Sequence, residues 1–257
     1  MTYRGVVLDL DGTVLRGDTL LPGAEAGVAA LREHADAVLF LTNNPMRPAS
    51  EHAARLEGLG VDATPGEVLT ATDATITYLQ RSHDGAAVYP IAADAITAQL
   101  RAAGVAITTD PVAADVVVAG FDPAFGFQDL QAAVDAFADG TTALVGTDPD
   151  ITIPAADGAK PGSGAIVQAV AGVAERDPDA VLGKPSETTA RLAVDRLGVP
   201  PAECLVVGDR PDTDVALGAA AGMTTALVRT GVDAATPAHA QPDHVLDSLG
   251  EIGRLIA

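Results

Sequence analysis

Short apolar runs alternate along this chain with segments whose apolar residues recur at helical spacing. The first run, Val6-Val7-Leu8, ends in Asp9-Leu10-Asp11-Gly12-Thr13. Residues 16–22 read as a loop and residues 23–33 as a helix with one apolar face. A second run, Ala37-Val38-Leu39-Phe40-Leu41, stops at Thr42-Asn43-Asn44-Pro45. Residues 48–59 form the next predicted helix, with Gly60 to end it. The same alternation predicts helices over 72–81, 94–103, 127–138 and 162–173, and strands over 86–92, 116–120 and 142–146. Val181-Leu182 then steps into Gly183-Lys184-Pro185, and a helix over 187–197 stops at Gly198. The strand Cys204-Leu205-Val206-Val207 runs into Gly208-Asp209-Arg210-Pro211-Asp212-Thr213-Asp214. A helix to about residue 221, a strand over 225–228, a short strand at Val245 and a helix over 249–256 complete the chain. Strand and helix in short alternation predict an α/β protein whose parallel sheets are joined by helical crossovers.

Four of the apolar runs end in chemically loaded turns: Asp9 with Asp11, Thr42-Asn43-Asn44, Gly183-Lys184-Pro185, and Gly208-Asp209 through Asp214. Each alone is ordinary turn chemistry. Together they fit the rule that ligands of open parallel sheets bind outside the carboxyl ends of the strands. Side chains two apart on a strand share a face, so Asp9 and Asp11 leave the first strand in the same direction. Two converging carboxylates are costly unless they share a cation or a proton.

Composition narrows the classes. The 257 residues suffice for one large domain or two smaller ones. With 48% apolar residues, rich in Ala and Val and without Trp, the chain suits a sheet covered by Ala-rich helices. Cys204 is the single cysteine, which excludes an intrachain disulfide and a cysteine-based zinc site; its apolar setting reads as a buried structural thiol. A formal net charge of −20 argues against nucleic-acid partners. That acidity, with only Lys160 and Lys184 as lysines, fits either a salt-rich cytoplasm or a GC-rich genome. No apolar run is long enough to span a bilayer, and no basic segment followed by an apolar one opens the chain, so a soluble cytoplasmic protein without a membrane partner is expected. His239 and His244 fall in a Pro-bearing stretch and read as surface residues.

As an ordered set, Asp-x-Asp-Gly-Thr, Thr42-Asn43-Asn44, Gly183-Lys184-Pro185 and Gly208-Asp209 to Asp214 resemble the motifs of the haloacid dehalogenase (HAD) superfamily. The variants are similar to its IIA branch, which contains NagD-like and p-nitrophenylphosphatase-like phosphatases. The resemblance implies a Rossmann-like parallel-sheet core, residues 1–72 with 181–257, and an inserted α/β cap of the C2 type, residues 73–180. It further implies a phosphatase acting on a small phosphorylated metabolite through an aspartyl-phosphate. In that scheme Asp9 is the nucleophile and Asp11 the acid/base. Mg2+ is bound by Asp9, by the backbone carbonyl of Asp11 and by Asp209, with Asp214 favoured over Asp212 behind it. Thr42, Asn43, Asn44 and Lys184 hold the phosphate, and Thr13 either bonds near the nucleophile or caps its turn.

The cap is expected to close over the phosphate and to contact the leaving group from the turns Gly120-Phe121-Asp122 and Thr147-Asp148-Pro149-Asp150. Relatives often carry Asn where this chain has Asp148. Pairing of two copies through the cap is a further expectation from the resemblance. The other readings are a non-catalytic metabolite-binding protein on the same fold, a dehalogenase and a phosphomutase. Dehalogenases of this superfamily lack the second aspartate, and phosphomutases usually insert their cap between the first and second motifs, where this chain has little room.

Overall fold

In the computed structural model, which describes residues 3–155, 158–231 and 241–256, the first apolar run is a strand buried along its whole length. This strand, β1 (Gly5–Asp9), is followed by a small hairpin of β2 (Leu15–Arg16) and β3 (Thr19–Leu20), inside the stretch whose pattern predicts a loop. Helix α1 (Ala24–His34), strand β4 (Ala37–Thr42) and helix α2 (Ala49–Gly58) come next, and a short strand β5 (Val68–Thr70) stands just before α3 (Ala71–Ser82). Thr70 caps α3: its hydroxyl accepts from the Asp73 N–H at 3.1 Å and its own N–H donates back to the Asp73 carboxylate at 3.0 Å.

The chain continues through β6 (Val88–Ile91), α4 (Asp94–Ala102), β7 (Val116–Ala119), α5 (Phe127–Ala136) and β8 (Ala143–Gly146). Strands β9 (Thr152–Ala155) and β10 (Gly158–Pro161) pair antiparallel, ahead of α6 (Ser163–Ala174) and β11 (Ala180–Val181). Then follow α7 (Glu187–Leu197), β12 (Cys204–Gly208), α8 (Ala216–Ala221), β13 (Thr224–Val228), β14 (His244–Leu246) and α9 (Gly253–Ile256). Ser186 caps α7 by accepting from the Thr189 N–H at 3.2 Å, and Gly198 closes it in the left-handed region.

Packing divides the chain into two compact units. The first holds the residues up to Thr42, Ala49–Leu69 and Lys184 onward; the second holds Asn43–Pro48 and Thr70–Gly183. A six-stranded sheet in the order β14-β13-β12-β1-β4-β5 organises the first. From β14 to β4 its strands run parallel. The connection after β1 moves to one side, to β4, whereas β12, β13 and β14 build outward on the other. Such a reversal of strand order opens a crevice at the carboxyl end of the central strand, here beyond Asp9. Val6, Leu8, Phe40, Leu205 and Val207 belong to one continuous core with α1 and α2 residues such as Leu31 and Leu56. Each fully buried Leu or Val contributes roughly 1.5–3 kcal/mol. Burial on both faces is why these strands are continuous apolar runs rather than alternating ones.

The second unit has its own parallel sheet, in the order β11-β8-β7-β6, and its own core of Ile91, Val117, Leu144, Ile166 and Val170. His244, expected in a loop, begins β14 opposite Ala226 and is half-buried; its partner in that expectation, His239, lies outside the described residues. No helix among the described residues is long and apolar enough to cross a membrane.

Candidate active site

Asp9 is the last residue of β1, and only 6% of it is exposed. The chain turns tightly beyond it, with the N–H groups of Val14 and Leu15 both donating to the Leu10 carbonyl at 2.9 and 2.8 Å. Gly12, at φ +100°, lies so close to Asp209 that a Cβ there would collide with its carboxylate. Asp11 projects from this turn with its side chain exposed. Thr13 is fully buried, and its hydroxyl makes no hydrogen bond among the described residues, so it does not cap the turn.

Lys184 lies at the centre of the first unit's polar cluster, 3% exposed. Its ammonium donates to Asp9 Oδ1, to Asp214 Oδ1 at 2.7 Å and to the Leu41 carbonyl at 3.3 Å. An ammonium has three N–H groups, and three acceptors converge on this one. Leu41 is the register partner of Asp9 on the neighbouring strand, so Lys184 also ties β1 to β4 just before Thr42. Burial works against the lysine's charge, but the Asp214 and Asp9 carboxylates outweigh it and raise its pKa above the ordinary value.

Burial pushes the Asp9 carboxyl well above the usual carboxylate range; Lys184 pulls it down, while Asp214 and Asp209 push it up again. The imbalance is one of charge. Asp9, Asp209 and Asp214, all buried, bring oxygens within 4.8 Å of one another, against a single buried ammonium. Asp9 Oδ2 is buried and accepts no hydrogen bond among the described residues. An all-carboxylate cluster with an unused buried oxygen fits a divalent cation that prefers oxygen ligands.

Asp209 follows β12, and Asp214 lies in the wide π-helical turn Pro211–Val215 that comes next. This turn separates two carboxylates of one motif. Asp214, 1% exposed, accepts from Lys184 and from the Arg210 N–H at 3.0 Å. Asp212 is exposed and pairs with the Arg210 guanidinium at 2.8 Å. Cys204 begins the same strand, at the end away from Asp209, and burial pushes its thiol up to about 11.

One loop of this site carried no motif. Beyond β13, the Thr230 hydroxyl donates to the Gly12 carbonyl at 2.7 Å, Arg16 donates to the Thr230 carbonyl, and a Cβ on Gly231 would drive into the Asp209 carboxylate. In the sequence Thr230-Gly231 stands one residue beyond the apolar strand β13, with no carboxylate, amide or lysine to mark it as the other site loops are marked.

Of the residues expected in the site, Asp9, Lys184 and Asp209 meet in one cluster, and Thr42, 2% exposed, ends the strand beside Asp9. Asn43 and Asn44 pack with the second unit. There the Asn43 side-chain amide donates to Asp150 at 3.3 Å, and the Asn44 side-chain carbonyl accepts from the Met46 N–H at 3.0 Å.

The family pattern described as haloacid dehalogenase-like hydrolase matches residues 6–106, and one described as HAD-hydrolase-like matches residues 181–252. The acid sugar phosphatase of Staphylococcus epidermidis is 33% identical over 90% of this chain and 88% of its own length. This chain belongs to the haloacid dehalogenase-like hydrolases. Sugar-phosphatase AraL of Bacillus subtilis is 29% identical over 98% of the chain and 92% of its own length. The p-nitrophenyl phosphatase from Archaeoglobus fulgidus has a TM-score of 0.90 at 33% identity, with 99% of this chain and 100% of that one covered. NagD from E. coli K-12 has a TM-score of 0.84 at 27% identity, covering 98% and 99%. The branch is IIA, and the chain is a phosphoric monoester hydrolase on the HAD fold.

Proposed function

We propose that this enzyme is a Mg2+-dependent phosphatase of small phosphorylated metabolites, with a sugar phosphate or a nucleoside monophosphate as substrate. The observation that carries this reading is Asp9: one carboxylate oxygen is fixed by Lys184, and the other is buried without a hydrogen bond among the described residues. A carboxylate so held has a fixed orientation, with one oxygen left for a cation or for phosphorus. Two of the relatives, in Bacillus and Staphylococcus, are named sugar phosphatases, which supports the sugar phosphate as the first substrate class to try.

In the proposed reaction an Asp9 oxygen bonds to phosphorus, and the bond from phosphorus to the leaving oxygen breaks. Asp11 gives its proton to that oxygen; its exposure in the turn suits a group that must meet the leaving alcohol. Ionised Asp11 then takes a proton from water, which attacks phosphorus and releases Asp9. Thr42, Asn43, Asn44 and Lys184 hold the phosphate oxygens. Asp9, the Asp11 backbone carbonyl and Asp209 are the residues that would hold Mg2+, and Asp214 orients Lys184 behind them. When bound, the ion supplies positive charge against the phosphoryl oxygens.

The test is turnover of p-nitrophenyl phosphate, then of a panel of sugar phosphates and nucleoside monophosphates compared by kcat/KM, with and without Mg2+. Turnover that needs Mg2+ and is abolished in Asp9→Asn is expected. Turnover retained in a folded Asp9→Asn protein would remove Asp9 as the nucleophile.

A further inference from the structure

The second unit contains a buried acid that the reaction above does not use. Asp148 follows β8 and is 2% exposed. Its Oδ2 accepts from the Thr147 hydroxyl at 3.1 Å, and its Oδ1 accepts from the Asp150 N–H at 3.3 Å. Asp150 in turn accepts from the Asn43 side-chain amide. Gly183 completes the group. It stands at φ +69°, and a Cβ there would come within 2.7 Å of Asn43 Oδ1 and 3.0 Å of Asp148 Cβ. The turn is gripped from its other sides too: a Cβ on Gly120 would meet the Thr147 side chain at 2.8 Å, and Cβ atoms on Gly162 or Gly164 would collide with the backbone carbonyls of Asp150 and Pro149. Asn43 and Gly183 are separated by most of the chain, yet both are held by this one turn. They are the residues peptide-bonded to Thr42 and to Lys184.

We propose that Asp148 is a positioning residue: with Asp150 it fixes Asn43 and Gly183, and so fixes the direction in which the chain enters Lys184 and leaves Thr42. The inference rests on the phosphatase reading above, because Thr42 and Lys184 are its phosphate-binding groups. The device depends on pH. Burial pushes the Asp148 carboxyl up to about 7; the hydroxyls of Ser163 and Thr147 pull it down, and the Asp150 carboxylate pushes it up. The charged group facing Asp148 is therefore another carboxylate, while Thr147, Ser163, Asn43 and Gly183 carry no charge. Below about pH 7 Asp148 is neutral and the turn is closed. Above it, two carboxylates two residues apart repel each other inside a buried turn, and relief comes from Asp150 turning away from Asn43.

The experiment compares kcat for p-nitrophenyl phosphate at saturating Mg2+ in the wild type, Asp148→Asn, Asp148→Ala and Asp150→Asn, between about pH 6 and about pH 8.5. The ratio of Asp148→Asn to wild-type kcat is expected to rise several-fold across that range, because Asn keeps the shape and never ionises. Asp148→Ala is expected to lower kcat at every pH, so that Asn rescues what Ala loses. Asp150→Asn removes the opposing charge and is expected to flatten the wild-type fall; it carries the same test if the Asp148 variants fail to fold. A ratio that stays constant with pH in a folded Asp148→Asn protein overturns the proposal. Wild-type turnover is the separate control: a folded wild type that does not hydrolyse p-nitrophenyl phosphate with Mg2+ sinks the phosphatase reading, whereas an unchanged pH ratio in an active protein sinks only the positioning role.

Discussion

The two units of this enzyme end a parallel strand in the same way and neutralise the result differently. In the first, β1 delivers Asp9 into a cluster with Asp209 and Asp214, and a buried ammonium, Lys184, lies among them. In the second, β8 delivers Asp148 beside Asp150, and hydroxyls and an amide surround the pair. Burying an isolated carboxylate is expensive in both places. The first cluster answers with fixed positive charge, and its donor set has room for more. The second answers with a proton. What separates the two clusters is the source of the compensating charge, not the number of acids.

The largest effect should come from removing the fixed charge. Lys184→Met leaves Asp9 and Asp214 buried without their ammonium, a loss that typically costs about 3–5 kcal/mol. Burial already raises the Asp9 pKa well above the usual carboxylate range, and Lys184 is the group that counters that rise; its loss favours protonated Asp9 further, which avoids part of the cost and removes the charge that the proposed attack on phosphorus needs. Turnover of p-nitrophenyl phosphate is expected to fall by about a thousandfold or more, equivalent to about 4 kcal/mol of transition-state stabilisation. Urea unfolding alongside kinetics separates the two losses. A variant that unfolds easily but turns over normally when folded would contradict the role of Lys184.

Next in size is the wall behind Asp209. Gly231→Ala places a methyl group where the Asp209 carboxylate now lies, so the carboxylate must rotate. Disturbing what orients a metal ligand typically costs about 10–100-fold in metal affinity. With Asp209 holding Mg2+ as proposed, the expected result is a weaker Mg2+-induced rise in Tm, together with a higher Mg2+ requirement for turnover. Calorimetric titration with Mg2+ alone checks the binding without relying on activity.

The second cluster gives a stability signature of the opposite sign from most carboxylates. The folded-state pKa of Asp148 is raised from 3.8 to about 7, so between those values the folded protein keeps a proton that the unfolded chain has released. Stability from this group is therefore present at low pH and is lost as pH rises, the loss being complete once pH passes the folded value. At 1.36 kcal/mol per pH unit the full change is about 4 kcal/mol. Asp148→Asn removes that slope. Its unfolding free energy relative to wild type is expected to increase from about pH 4.5 to about pH 8, the other carboxylates cancelling in the difference. A difference that is flat with pH would mean that Asp148 is ionised in the folded protein throughout.

These contrasts also mark where the chain can be read without its structure. Strands β1, β4 and β12 are legible because both of their faces are covered, which turns them into uninterrupted apolar runs with a clear end. Asp9, Thr42 and Asp209 stand at those ends, whereas Lys184 follows the two-residue strand β11 and is marked by its Gly-Lys-Pro turn instead. Hairpin β9–β10 is not legible: Pro154 lies within one strand, and the other, Gly158-Ala159-Lys160-Pro161, is exposed throughout, so pairing there leaves no side-chain period. The β2–β3 hairpin is too short to show a period at all. Asp148 reads as part of a turn that meets the leaving group, and its burial is silent because the turn is held by Asn43, whose bond to Asp150 spans 107 positions. Gly231 is silent for a related reason. A glycine that matters for the absence of a side chain shows nothing until its neighbour, Asp209, is in place.

The smallest effect sharpens the comparison within a single motif. Asp212 and Asp214 share the π-helical turn after β12, yet one faces solvent and the other faces Lys184. Arg210 lowers the Asp212 pKa through a side-chain hydrogen bond. The sign is the ordinary one for a carboxylate: the stabilisation is present above its unfolded pKa and is lost as pH falls through the depressed folded value. Solvent screens an exposed pair, so Asp212→Asn should cost no more than about 1 kcal/mol and leave kcat close to wild type. Asp214→Asn instead removes one of the two carboxylates that hold the Lys184 ammonium, and it should lower both stability and turnover. Equal losses in the two variants would mean that the turn as a whole, rather than the lysine bond, is what the motif provides.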